Sequence, residues 1–243
     1  MAAVIVILAV LEGVASSVLA AAFGFDLAAA ADFEWELRLG SLLDRGPGAA
    51  ELLRWGALLD MGGYLALGLV VLYVGERLWR GNAFVVASLT LSGLAAVLVG
   101  AIGAVLLATV GPSLLLDYAA APASARETAR LTLDTLGRGV LAGLWGILEL
   151  TLLGAWLIGV GWLLRRDGPR FGVLALLSGI SMVASSLRTG ATGRILPEVS
   201  GPLDLVVVLI IGGGLVLLFV WLLWLAIRLW RGSWQVPDRG PTR

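Results

Sequence analysis

An all-α bundle of about six membrane-spanning helices, with short amphipathic helices in the outer loops, is the fold this sequence predicts. Three observations carry that prediction. The 243 residues are 59% hydrophobic and 14% charged, with a mean hydropathy of +0.97. A soluble domain is about 45–50% apolar and about 25% charged, so this chain has too little polar surface to face water all round. Six apolar stretches approach or exceed the roughly 17–25 residues that cross hydrocarbon. Arginine falls unevenly between the linkers that join them.

The predicted spans are Ala3 to Phe23, Leu53 to Leu78, Ala83 to Val110, Gly139 to Leu164, Phe171 to Leu187 and Leu205 to Leu229. They make a single transmembrane domain over 1–230, followed by a polar tail over 231–243. The first span ends in alanines, as a cleaved signal does. It lacks a basic start, however, and Glu12 interrupts its centre, so a retained helix is expected.

Between spans one and two, Asp32-Phe33-Glu34-Trp35-Glu36-Leu37-Arg38-Leu39 alternates with the period of a strand. Glu34 and Arg38 also form a favourable i,i+4 pair, with Trp35, Leu39 and Leu42 on one helical face. A lone strand at a membrane surface leaves its edges unpaired, so an interfacial helix is preferred. Gly46-Pro47-Gly48 then turns the chain back. Farther on, Gly111-Pro112 is expected to stop span three. Ser124-Ala125-Arg126-Glu127 has the spacing of a capping box. The helix it starts is read as running through Leu131 and Leu136 into span four, bending at Gly137 or Gly139. Arg188 to Asp204 reads as irregular, and the tail past Trp234 as lacking a fixed fold. Gly212-Gly213-Gly214 sits inside an apolar span, so it is a flexing or close-packing element and not a phosphate loop.

Arginine sets the orientation. The linkers after spans two and four, with the tail, hold nine Arg against three acids. The three opposite segments hold eight Arg against eleven acids. Positive-inside placement therefore puts the short linkers and both termini in the cytoplasm, in a cell inner membrane. Arg77-Leu78-Trp79-Arg80-Gly81 recurs as Arg228-Leu229-Trp230-Arg231-Gly232, and Trp162 to Arg165 is a looser version. Trp prefers the headgroup level, Arg complements a helix C-terminus, and Gly suits its cap. Arg77, Trp79, Arg80, Trp162, Arg165, Arg228, Trp230 and Arg231 are thus read as interfacial anchors. No nucleic-acid partner is expected.

Ser88, Ser92, Ala96, Gly100, Ala104 and Ala108 recur every four residues in span three. Such a ridge lets another backbone approach closely, which is how helices associate in lipid. Gly139 and Gly143 of span four, and Ala175, Gly179 and Val183 of span five, offer matching small surfaces. Internal packing is the expected use, with a subunit interface as the alternative.

The chain has no Lys, His or Cys. It therefore lacks the usual axial ligands of haem, the thiolates of a cluster, a His/Cys zinc site and a Schiff-base amine. No disulfide, hydrolytic triad, metal site or cofactor is expected. Three acids lie well inside the spans: Glu12, Asp60 and Glu149. Glu12 and Glu149 sit about 14–17 Å from their predicted helix ends, near the midplane, and Asp60 about a third of the way in from the outer face. Each costs about 2.5–3.5 kcal/mol on insertion scales. They form either a proton or cation site, or neutral acids hydrogen-bonded to groups such as Thr151, Trp145 and Tyr64. Arg54 or Arg138 could instead pair with Asp60.

Leu52-Leu53-Arg54-Trp55-Gly56-Ala57-Leu58-Leu59-Asp60 opens span two, and Gly168-Pro169-Arg170-Phe171-Gly172-Val173-Leu174 precedes span five. With the capped outer helix before span four, this layout resembles a large bacterial family of six-helix membrane proteins of unknown function. The resemblance covers most of the chain. It implies the architecture and no activity. Members of that family often carry His near span four, where this chain has none.

Two functions follow as expectations, in this order. The first is a non-catalytic accessory subunit of a membrane assembly, whose partners are lipids, other subunits or a second copy. The second is a proton- or cation-coupled carrier of a small solute that uses the intramembrane carboxylates. An intramembrane enzyme ranks third, and no catalytic residue is assigned.

Overall fold

The computed structural model describes residues 6, 7, 10, 48–79, 82–165, 168–193 and 202–232, the last segment with side chains from 213 onward. Every described element is a helix. They are α1 (Gly48–Leu78), α2 (Ala83–Ala120), α3 (Ala123–Gly137), a π-helical segment (Arg138–Glu149), α4 (Leu150–Leu164), α5 (Pro169–Thr192) and α6 (Pro202–Trp230). The chain from Ala123 to Leu164 is one continuous 42-residue rod. Five helices among the described residues are long and apolar enough to cross a membrane. Predicted span one lies outside the described residues except at Val6, Ile7 and Val10, as do 24–47 and the tail beyond 232.

Short linkers force neighbours in sequence to pack antiparallel. α1 lies along α2 and α4 along α5, while α2 also touches the π segment and α4, and α5 touches α6. The main core gathers Val70, Val71 and Val74 of α1, Trp156 and Leu157 of α4, Phe171 of α5, and Trp221 and Leu225 of α6. Trp221 stacks on Phe171 at 5.2 Å and meets Trp156 edge-on at 5.9 Å, geometries that favour the ring quadrupole. Val6 joins this core, and Ile7 lines a groove with Trp230 and Arg231. The start of the chain and the end of α6 therefore share one end of the bundle.

At the opposite end two rods outgrow the bilayer. The 38 residues of α2 extend about 57 Å, roughly twice a hydrocarbon core of about 30 Å. Its overhang packs on α3, where Leu133 is buried against Leu115, Ala49 and Ala50 while most of α3's other side chains face outward. This is an amphipathic outer helix of the expected kind.

Several expected boundaries move. Pro112 does not stop α2, which runs on to Ala120. The helix continues through the proline with Gly111 and Pro112 buried, and the Ser113 hydroxyl donates back to Val110 O at 2.8 Å. No capping box forms at Ser124, since α3 starts at Ala123 with Pro122 as its cap residue. Proline presets the extended backbone of that position, so the helix begins one residue early and Ser124 falls inside it. In place of a bend at Gly137 or Gly139, the helix widens into the π segment. Arg188 to Thr192 extend α5, which closes on Gly193 at φ 67°, a left-handed cap that suits glycine.

The ridge on α2 is buried at Ala96, Gly100, Ala104 and Ala108, and Ser92 donates to Leu152 O of α4 at 2.8 Å. Ser88 is exposed and bonds back to Phe84 O, so the ridge begins one turn later than expected. Among the described residues nothing packs on Gly139 or Gly143. The closest backbone approach lies elsewhere. Gly154 and Gly161 of α4 face Gly179 and Gly172 of α5. A methyl group on Gly154 would come within 2.8 Å of Gly179 O, and one on Gly172 within 2.7 Å of Gly161 O. Two glycine pairs seven residues apart thus lock these helices together.

Gly179→Leu is expected to lower stability by about 1–3 kcal/mol or more, because backbone atoms cannot yield to the added side chain. Gly143→Ala is expected to stay within about 0.5 kcal/mol. Thermal unfolding of both variants in one detergent checks the pair.

Candidate functional site: an intramembrane carboxyl pair

Glu149 is the last residue of the π segment and is buried, with 9% of its surface exposed. π geometry is rare and concentrates at functional positions. Here glycines at 139, 143 and 146 make departure from α geometry cheap. Where the wide turn tightens again, Leu150 N–H is shared between Ile147 O and Trp145 O. Ile147 O also accepts the hydroxyls of Thr151, at 2.7 Å, and Ser186 of α5, at 2.9 Å. The junction is pinned by hydroxyl groups.

The Glu149 side chain points toward α1. Tyr64 donates its phenolic hydroxyl to Glu149 Oε2 at 2.8 Å. Asp60 lies one turn before Tyr64 on the same face of α1. Measured from the Arg-rich helix ends, Tyr64 lies about 21 Å and Glu149 about 22 Å along their helices, so the depths match. By the same measure Asp60 lies about 27 Å from the Arg-rich end of α1, nearer the opposite face than Glu149.

Glycine builds the seat for this pair. A side chain at Gly100 would overlap the Tyr64 ring, and one at Gly103 would overlap the Trp145 indole. Trp145 Nε1 donates to Gly100 O at 3.1 Å. One residue of α2 therefore admits the tyrosine that holds Glu149 and anchors the tryptophan one turn before Glu149.

Of the three predicted acids, Asp60 and Glu149 come together, and Glu12 lies outside the described residues. Among the suggested partners Tyr64 is the one that bonds Glu149. Thr151 turns to Ser186 and Ile147 O, and Trp145 to Gly100 O. Arg54 pairs with Glu51 at 2.5 Å, three residues away, so it is spent before it reaches Asp60. Among the described residues no group of three acids could hold a metal ion. A row of hydroxyls on α5 went unread: Ser178, Ser181, Ser185, Ser186 and Thr189 are all buried. Ser178 reaches across to Gly214 O of α6 at 2.7 Å. Spacing of three and four residues was the signal that could have found them.

At the predicted anchors, Arg165 lies 3.3 Å over the Trp162 ring, Arg77 lies 5.1 Å over Tyr73, and Arg228 lies 5.1 Å over Phe171. Trp79, Trp162 and Trp230 are exposed. Gly232 takes φ 62° just beyond α6, while Arg80 falls outside the described residues.

A multi-pass helical membrane protein is the class that this fold defines. In comparisons with known proteins, no family model, curated protein or solved structure matches the chain.

Tyr64→Phe removes the hydroxyl and leaves Glu149 without that donor. It is expected to cost about 1–3 kcal/mol, more than most conservative aromatic substitutions. Gly100→Val, which evicts the ring, should cost at least as much. Unfolding in detergent, compared with Tyr73→Phe, separates this loss from a general effect of removing a phenol.

Proposed function

We propose that the chain is a proton- or cation-coupled carrier of a small solute, with Glu149 and Asp60 as the coupling site. The supporting observation is the buried Glu149 carboxyl held by Tyr64, with a second acid, Asp60, one turn from that tyrosine on the same face of α1. Two carboxylates in each other's field repel strongly at low dielectric. One proton or monovalent cation shared between them relieves that repulsion, so the pair gains and loses a single positive charge. Tyr64 holds Glu149 in place while the charge changes. Pairing of intramembrane acids is a hallmark of ion pathways. This convergence reverses the order set by sequence alone, which put an accessory subunit first.

The accessory-subunit reading keeps one specific support. Among the described residues nothing covers Gly139 and Gly143, a small-residue face where a helix of another chain could seat. The family resemblance carries no activity and favours neither reading.

Protein reconstituted in vesicles is expected to dissipate a pH gradient in a solute-dependent manner, and Glu149→Gln should abolish that flux. Asp60→Asn should shift its pH profile. Unchanged flux in Glu149→Gln would remove the carboxyl from the mechanism, and a stable co-purified partner would then favour the subunit reading.

We also propose that the Arg-rich end faces the cytoplasm of a bacterial inner membrane, following the arginine excess in its short linkers. The cysteine-free sequence makes this simple to check. Ser124→Cys should react with a membrane-impermeant thiol reagent in intact spheroplasts. Trp79→Cys should react only after lysis, and the reverse pattern would invert the topology.

A further inference from the structure

We propose that the groove between the start of the chain and the end of α6 binds one anionic phospholipid. This inference is independent of the carboxyl site. The groove measures about 330 Å³ and is lined by Ile7, Leu223, Ala226, Ile227, Trp230 and Arg231. Ala226 supplies a small, buried floor, while Leu223 and Ile227 form exposed apolar walls. From Leu223 to Arg231 the helix advances about 12 Å, running from hydrocarbon depth to the headgroup level.

Charge identifies the occupant. Arg77, Arg165 and Arg228 are each taken up by an aromatic face of the protein. Arg231 is exposed at the mouth of the groove, and among the described residues no carboxylate or ring engages it. Beside it the Trp230 ring is three-quarters exposed, the position of an indole at the headgroup boundary. An apolar trough beneath one exposed cation matches an amphiphile with an acyl tail and an anionic head. Basic sites of this kind at helix ends select anionic lipids over neutral ones. The excess of arginine at this end of the chain adds to the attraction.

Native mass spectrometry of the full-length protein, released from micelles doped with phosphatidylglycerol or phosphatidylcholine of identical chains, tests the proposal. One phosphatidylglycerol molecule should be retained in preference to phosphatidylcholine. Arg231→Gln, a change at an exposed position, should cut that preference about fivefold, as expected for losing one cation at the lipid headgroups. Leu223→Trp, which fills the trough, should reduce retention of both lipids. Equal retention of the two lipids by the native protein would overturn the proposal. So would an undiminished preference in Arg231→Gln, or a lipid-free dimer whose interface is disrupted by Leu223→Trp.

Discussion

Hydrocarbon offers no hydrogen bonds, and the rest of this structure follows from that constraint. Every backbone polar group inside the bilayer must find its partner within the protein, while among the described side chains the buried Ser185 hydroxyl and Trp221 indole N–H stand as exceptions. Backbone groups find theirs in helices, and the embedded side chains use what the helices leave over. Ser92 takes a carbonyl of α4, Ser178 one of α6, and Ser186 the carbonyl at the π–α junction. Trp145 takes a carbonyl of α2. Four contacts between helices are thus made by side chains reaching for neighbouring main-chain oxygens. Interhelical bonds of this kind contribute about 0.6 kcal/mol each on average in membranes, so they orient helices more than they hold them.

Cohesion must come from packing, and glycine sets how close that packing is. It is used in three distinct ways. Gly154, Gly161, Gly172 and Gly179 bring two backbones into contact. Gly93, Gly100 and Gly103 make room on α2 for the rings of Trp156, Tyr64 and Trp145. Gly139 and Gly143 do neither among the described residues: they lie in the segment that has left α geometry. A residue with no side chain can therefore bring helices together, seat a large ring, or loosen a helix. Which it does depends on the helix opposite, and that is a tertiary fact.

The same distinction separates what could be read in the sequence from what could not. Hydropathy and length gave five of the described spans, because the thickness of hydrocarbon acts on each segment independently. Boundaries failed where neighbours intervened. Pro112 would end an isolated helix, yet α2 runs on through it with Gly111 and Pro112 buried. The four-residue ridge pointed to α2 as a packing surface but could not say that Gly100 faces a tyrosine. Asp60 and Glu149 were recognisable as costly, while their meeting through Tyr64 depends on how α1 and the π segment turn against each other. The π segment left no trace in hydropathy, since its composition is that of any glycine-rich span.

The magnitudes bear on why the acids are there at all. Two carboxyl groups at depth together cost about 5–7 kcal/mol on insertion scales. A hydrogen bond to a charged group returns about 1.5–3 kcal/mol, and Tyr64 supplies one to Glu149. Apolar side chains of similar size at 60 and 149 would fit a bundle selected for packing alone. The protein instead carries both acids, builds a glycine seat for the tyrosine that holds Glu149, and ends the π segment on that glutamate. Packing alone calls for neither carboxyl, and the proposed ion coupling gives both a use.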